Sequence, residues 1–207
     1  MIGSGQVFTL FFVTLGPFKL LGPFAQRTLG LDEARTRQIA WWAFLVASIS
    51  AIVGGFVGRT LLTKWRISLE ALTLTAGIIF FLVALGQLME QYDPPHAAAP
   101  ESLPAQPIAA ALRLLFPTVL TPYGIAAVIA LLAASPEPSR TLTILGLLML
   151  VMVLDLIAMV YARRILVGPI VIALQVLGAV LAVLQVALSV EFILRGLRGL
   201  RVLPNVT

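Results

Sequence analysis

Apolar positions along the chain gather into six blocks, Gln6–Thr28, Ile39–Leu62, Ile67–Leu88, Ile108–Ala134, Arg140–Tyr161 and Gly168–Leu194, with polar and charged residues confined mostly to the gaps. Each block reaches the roughly 20 residues a helix needs to cross the hydrocarbon core, and none alternates with the period of a barrel strand. The pattern predicts an all-α integral membrane protein. The expected localisation is the inner (plasma) membrane, as a multi-pass protein with six transmembrane helices. Asp32 is placed as an N-cap with Glu33 in the first turn, so the second helix begins in water before Ile39. Ser68 is placed to cap the third, with Glu70 near the positive end of its dipole.

Two blocks cannot be continuous helices. In the first, Leu15 to Gln26 reads LGPFKLLGPFAQ, where Gly16 and Gly22 directly precede Pro17 and Pro23. In the fourth, Leu115 to Ile125 reads LFPTVLTPYGI, with Pro117 and Pro122. Proline removes a backbone donor and clashes with the preceding turn. An unpaired peptide group in hydrocarbon costs several kcal/mol, so such a break is tolerated only against protein or a wet cavity. Interrupted helices at matching places in two halves point to a transporter's binding site.

The halves match at a near-constant offset. Pro17 pairs with Pro117, Pro23 with Pro122, Lys64 with Arg164, Gly77 with Gly178 and Glu90 with Glu191. The expected fold is therefore a 3+3 inverted repeat with spans 1 and 4 broken at their Pro/Gly motifs, since a three-span unit must be upside down in its second copy. Residues 1–88 form the first three-helix repeat, 89–107 a Pro/Ala-rich linker and 108–207 the second repeat, all in one membrane domain.

Composition narrows the function. The 207 residues are 60% hydrophobic and 11% charged, with no cysteine and a net charge of +5. Thiol redox chemistry, disulfides and thiolate metal sites are excluded, and no basic cluster is dense enough for nucleic acid. No basic stretch precedes the first span and no cleavage-like site follows it, so that span reads as retained. The only histidine, His96, lies in the linker and reads as solvated. Without a base, a second midspan carboxylate or a metal-ligand cluster, an intramembrane enzyme is disfavoured. Basic residues divide almost evenly between the two ends, which leaves the orientation open.

Few polar groups remain within the spans. Asp155 lies eight residues before Arg163, roughly 12 Å along a helix, and a short carboxylate cannot snorkel that far. It reads as an ion-coupling residue for H+ or Na+, or as a structural polar contact, for instance to Gly54, Gly55 and Gly58 of span 2. Those glycines themselves read as a close-packing surface. Lys19, inside the first break, is a counter-charge for Asp155 or for an anionic substrate group, or else a lysine that snorkels to the interface. Thr14, Thr118, Thr121 and Tyr123 offer hydroxyls to a solute or to helix carbonyls. Gln175 and Gln185 read as interhelical glue, Trp41 and Trp42 as interface anchors, and Arg113 as interfacial or anion-binding.

The two proline motifs, the stretch GLDEARTRQIAWWAF, the helix ISLEALTLTAGIIFFLVAL and TPYGIAAVIAL resemble the MarC-like family of membrane proteins over Phe8 to Leu194. The first motif departs from the family's usual one: Gly16 stands where Asn or Asp is usual before the first proline, and the inter-proline gap is one residue longer. Tyr123 stands where a glycine is usual. The resemblance implies a six-span inner-membrane protein related to lysine-exporter-like transporters, some of which carry small neutral amino acids. Carried over by position, its site residues are Gly16, Pro17, Phe18, Lys19, Pro23, Pro117, Thr121, Pro122, Tyr123 and Gly124. The resulting expectation is a secondary carrier of a small polar metabolite, foremost a small neutral amino acid, with no cofactor. The alternatives are a carrier of an anionic lipid head group or other anion, and a non-transporting scaffold. Expected partners are a small-molecule substrate and the lipid bilayer, with further copies of the chain left open.

Overall fold

A computed structural model describes residues 3–90, 103–135, 137–165 and 169–204; the side chains of Lys19, Gln87, Glu90, Phe116, Pro117 and residues 169–175 lie outside that description. The linker with His96, and the side chain of Gln175, are likewise outside it. The described chain is helical, in the order α1 (Ser4–Leu15), α2 (Phe18–Arg27), α3 (Glu33–Trp65), α4 (Leu69–Glu90), α5 (Pro107–Leu114), a π-helical turn (Leu115–Val119), α6 (Pro122–Ala133), α7 (Pro138–Ile165) and α8 (Pro169–Gly199).

The local signals explain where these helices start. Asp32 is the N-cap of α3, in extended conformation, with its carbonyl accepting from Thr36 N–H at 3.0 Å. Ser68 Oγ accepts from Ala71 N–H at 3.2 Å at the head of α4. α5 and α6 both have proline in their first turn, where the missing N–H is one the helix would leave unpaired anyway. Among the described residues, Ser4–Arg27, Glu33–Trp65, Leu69–Gly86, Pro138–Ile165 and Val176–Gly199 are long and apolar enough to cross a bilayer, and Pro122–Ala133 is a shorter apolar helix. The protein is an all-α, multi-pass integral membrane protein.

The core lies where α3 and α7 cross the interrupted helices. α3 packs on α5 and α6, while α7 packs on α1 and α2. The glycines of α3 make the first contact close: a Cβ on Gly55 would stand 2.6 Å from Val128 Cγ1 and 2.9 Å from Leu132 Cδ1, and one on Gly58 would run into Ile129. Gly54 facing Ile125 and Gly58 facing Ile129 make α3 and α6 parallel. The expected close-packing role of this stripe is what the fold uses it for, and its partner is α6.

α4 and α8 form a separate antiparallel pair on the flank. Gly77 abuts the Ile193 backbone nitrogen (2.8 Å from its would-be Cβ), Gly196 abuts Leu74 (2.6 Å), and Gly199 abuts Glu70. The pair leans on the rest of the molecule chiefly through α6. Only 17% of the apolar stretch in each is buried, against 39–47% in the spans of α1–α2, α3 and α7. Their outer faces, with Ile78, Leu82, Val180 and Val183, therefore meet lipid. Gly178, matched to Gly77 by sequence offset, has nothing within 4 Å of a would-be Cβ.

The loops sort to two ends. At one, Arg163 donates to the carbonyls of Thr28 and Leu31 and to Thr36 Oγ1, Arg35 donates to the carbonyls of Pro104 (3.0 Å) and Ala105 (3.1 Å), and Arg164 pairs with Glu33 at 3.5 Å. At the other, Gly3 and Ser4 lie beside Ser139 and Arg140, and Leu62 to Leu69 lie beside Ala133.

Candidate functional site

The first interruption follows from one missing donor. α1 ends at Leu15, Gly16 is extended (φ −70°, ψ 172°), and α2 restarts at Phe18. In an uninterrupted helix the Val13 carbonyl would accept from residue 17 and the Thr14 carbonyl from residue 18. Pro17 has no N–H, and the extended Gly16 carries residue 18 away. Both orphaned carbonyls are met from elsewhere in the chain. Thr121 Oγ1 donates to the Thr14 carbonyl at 3.0 Å, in a buried contact, and Gln185 Nε2 donates to the Val13 carbonyl at 3.1 Å. The expected interhelical role of Gln185 is thus realised at the break itself.

The second interruption meets the first. After α5 the chain widens into the π-helical turn around Pro117, closed by the Leu120 N–H donating to the Leu115 carbonyl at 2.8 Å. Leu120 and Thr121 are extended, and α6 begins at Pro122 with Thr121 as N-cap, whose Oγ1 also accepts from Gly124 N–H at 3.2 Å. One hydroxyl therefore caps α6 and ties it to the end of α1. Gly124 allows this approach, since a Cβ there would collide with the Leu15 side chain. Gly16 is equally constrained: a Cβ would collide with the Phe12 carbonyl oxygen. On the far side of the break, the Phe18 ring meets Phe12 edge-on at 5.4 Å.

Not every motif residue interrupts its helix. Pro23 is exposed and lies inside α2, which continues past it to Arg27 with the Lys19 carbonyl deprived of its ladder donor. Pro117 is absorbed in the wider π turn, and the true gap falls at Leu120–Thr121. Thr118 lies half-buried on that turn. Arg113 is exposed on α5.

A cavity of about 250 Å³ opens beside the junction, between α1 and α6 on one wall and α4 and α8 on the other. Thr14 and Tyr123 line it, and so do residues that no sequence pattern singles out: Phe80, Ala127, Ala130 and Phe192. Tyr123 is 2% exposed and stacks on Phe80 with ring centroids 4.5 Å apart. Glu70 and Arg195 line the end nearest the α3–α4 loop. A helix of alanines such as AAVIALLAA reads as ordinary membrane filling, and only its packing reveals a wall. Arg113 does not line this cavity.

Asp155 is buried in α7, 1% exposed, on the face packed into the core with Met152 and Met159. α7 runs parallel to α1–α2: Val7 lies beside Thr143 at one level, and Thr28 beside Arg163 at another. The Lys19 side chain is outside the described residues. Among the described residues no group of three or more His, Cys, Asp or Glu could hold a metal ion.

No curated protein and no solved structure matches the chain. The family model described as MarC family integral membrane protein matches residues 4–201, nearly the whole sequence and both interruptions. The chain belongs to the MarC family of integral membrane proteins.

Proposed function

We propose that the chain is a secondary carrier that moves a small solute with a polar head, foremost a neutral amino acid, by alternating access about the two interrupted helices. The reading rests on one observation: the interruptions meet through Thr121 and Thr14 in the buried core, with a cavity directly beside them. Interrupting a helix in hydrocarbon is costly, and here the freed carbonyls are satisfied by a side-chain hydroxyl and a side-chain amide rather than by a ladder. Such bonds can be exchanged for bonds to a solute or a water at little net cost, whereas a continuous helix has none to exchange.

The architecture we propose has six crossings arranged as two inverted halves, 1–88 and 108–207, joined by 89–107. Several contacts support it. α3 of the first half packs on the interrupted helix of the second, α7 of the second packs on that of the first, and α4 and α8 meet antiparallel. In this scheme Thr14, Gly16, Thr121, Tyr123 and Gly124 form the solute-facing junction. Asp155, buried in α7, carries the coupling ion, H+ or Na+. The ties made by Arg35 and Arg163 hold shut the end opposite the cavity mouth.

The test is flux of labelled metabolites into proteoliposomes, with and without proton and sodium gradients. Saturable uptake of at least one neutral amino acid, lost in Gly124→Leu, is the expected result. No flux across a broad panel under any gradient would leave the chain a membrane scaffold.

A further inference from the structure

Two arginines hold a backbone conformation that the chain elsewhere gives to glycine. Among the described residues only Arg66 (φ 53°) and Arg201 (φ 59°) adopt positive φ without being glycine, whereas the turn between α2 and α3 uses Gly30 (φ 84°). Both arginines close a helix in the same way. Arg66 N–H donates to the Thr63 carbonyl at 3.3 Å and Ile67 N–H to the Leu62 carbonyl at 3.0 Å. Arg201 N–H donates to the Arg198 carbonyl and Val202 N–H to the Leu197 carbonyl, each at 2.9 Å. This is the hydrogen-bond pair of a Schellman cap, whose left-handed position favours glycine because a Cβ there crowds the following carbonyl. The two caps share an end of the molecule. Gly199, two residues before Arg201, abuts Glu70, four residues after Arg66, across the antiparallel α4–α8 pair.

Strain kept at two helix ends, with the same side chain at both, points to a use for that side chain. We propose that Arg66 and Arg201, with Lys64 and Arg198 beside them, form a docking surface for the head groups of anionic lipids in the leaflet at this end. The side chains of these four form no hydrogen bond or ion pair among the described residues. Arg195, by contrast, is held by Glu191 at 2.8 Å. At the opposite end Arg35 and Arg163 are taken up by backbone carbonyls and Arg164 by Glu33. The exposed Glu70 offsets one of the four charges, and the surface stays cationic. Trp65, 68% exposed, stands next to Arg66 and suits the level of the membrane interface. A guanidinium matches a phosphate with two parallel N–H donors, and cations at that level attract anionic lipid. The lipid is a bound partner here and not cargo, so the proposal stands apart from the carrier reading.

The experiment titrates the purified full chain, in an uncharged detergent, with short-chain phosphatidylglycerol, short-chain phosphatidylcholine or inorganic phosphate, and follows the thermal midpoint. Phosphatidylglycerol is expected to raise the midpoint saturably. Phosphatidylcholine, whose phosphate is neutralised by its own choline, should shift it far less, as should inorganic phosphate, which has no tail to hold it at the interface. Arg66→Gly and Arg201→Gly should each weaken phosphatidylglycerol binding about fivefold, and together about 25-fold. Their unliganded midpoints should equal or exceed the parent's, because glycine takes the left-handed position without strain. Arg66→Gln and Arg201→Gln, which remove the charge and keep a side chain at the cap, should weaken binding to the same extent. Arg27→Gln, at the opposite end, should bind as the parent does. An equal response to phosphatidylcholine or to inorganic phosphate, or parent-like phosphatidylglycerol affinity in the double glycine variant, overturns the proposal. So does a lower unliganded midpoint in the glycine variants, which would make the arginines supports of the helix ends alone.

Discussion

Pro17 removes a single backbone donor, and the consequence reaches into two other helices. The Val13 carbonyl it strands, and the Thr14 carbonyl freed by the extended Gly16 beside it, are met by Gln185 from α8 and Thr121 from the head of α6. A buried acceptor left unsatisfied costs about 1–3 kcal/mol. Thr121→Val should therefore lower stability by about that much, or slightly more because the α6 cap is lost with it. Thr121→Ser, which keeps the hydroxyl, should stay near the parent, as read by thermal or denaturant unfolding of the purified protein. Equal stability of Val and parent would mean that the hydroxyl holds nothing. Asp155 belongs to the same scale. Asp155→Asn should abolish gradient-driven accumulation while leaving solute exchange measurable, and unimpaired accumulation would remove it from coupling. The prolines, the hydroxyl at Thr121 and the midspan carboxylate were all legible along the chain. That Gln185 serves Val13, 172 residues away, was not, because no local pattern encodes a long-range partner.

Among the elements, glycine decides which helices approach. Gly55 and Gly58 bring α3 onto α6, and Gly77 and Gly196 bring α4 onto α8. Gly55→Leu and Gly196→Leu should each destabilise by about 1–3 kcal/mol or more through overpacking, as read by the same unfolding measurement. Gly178→Ala, with open space around it, should be neutral or gain up to ~1 kcal/mol of helix propensity. Helix starts at Asp32, Ser68, Pro107 and Pro122 come from capping chemistry and proline's fixed φ. The small-residue stripe of α3 was equally readable, but its partner was not. Spacing matched Gly77 with Gly178, whereas packing presses Gly77 against Ile193 and leaves Gly178 open. A matching offset along the chain does not set contact, which depends on the face each helix turns inward.

For the whole molecule, the two ends are built differently. Arg35 ties the head of α3 to the segment before α5 and Arg163 ties the end of α7 to the α2–α3 turn, while the cavity between α6 and the α4–α8 pair reaches toward the other end, where Glu70 and Ala134 line it. If these ties hold one gate, Arg163→Gln should raise accessibility of the core from the tied end without loss of folding, as reported by solvent-exchange labelling of α2 and α7. The six-block hydropathy pattern foretold a multi-pass helical protein. It could not foretell a cavity, since alanine and leucine look alike in a membrane helix whether they face lipid, protein or a slot.

The absence of cysteine permits a direct test of the central arrangement. A single Ala130→Cys, placed in the cavity wall, is exposed to a membrane-impermeant thiol reagent from each side of sealed vesicles in turn. Reaction is expected from the side bearing the α3–α4 loop, slowed in proportion to occupancy by a transported solute. A thiol that reacts from neither side, or whose rate no transported solute alters, would contradict a solute site beside the two interrupted helices.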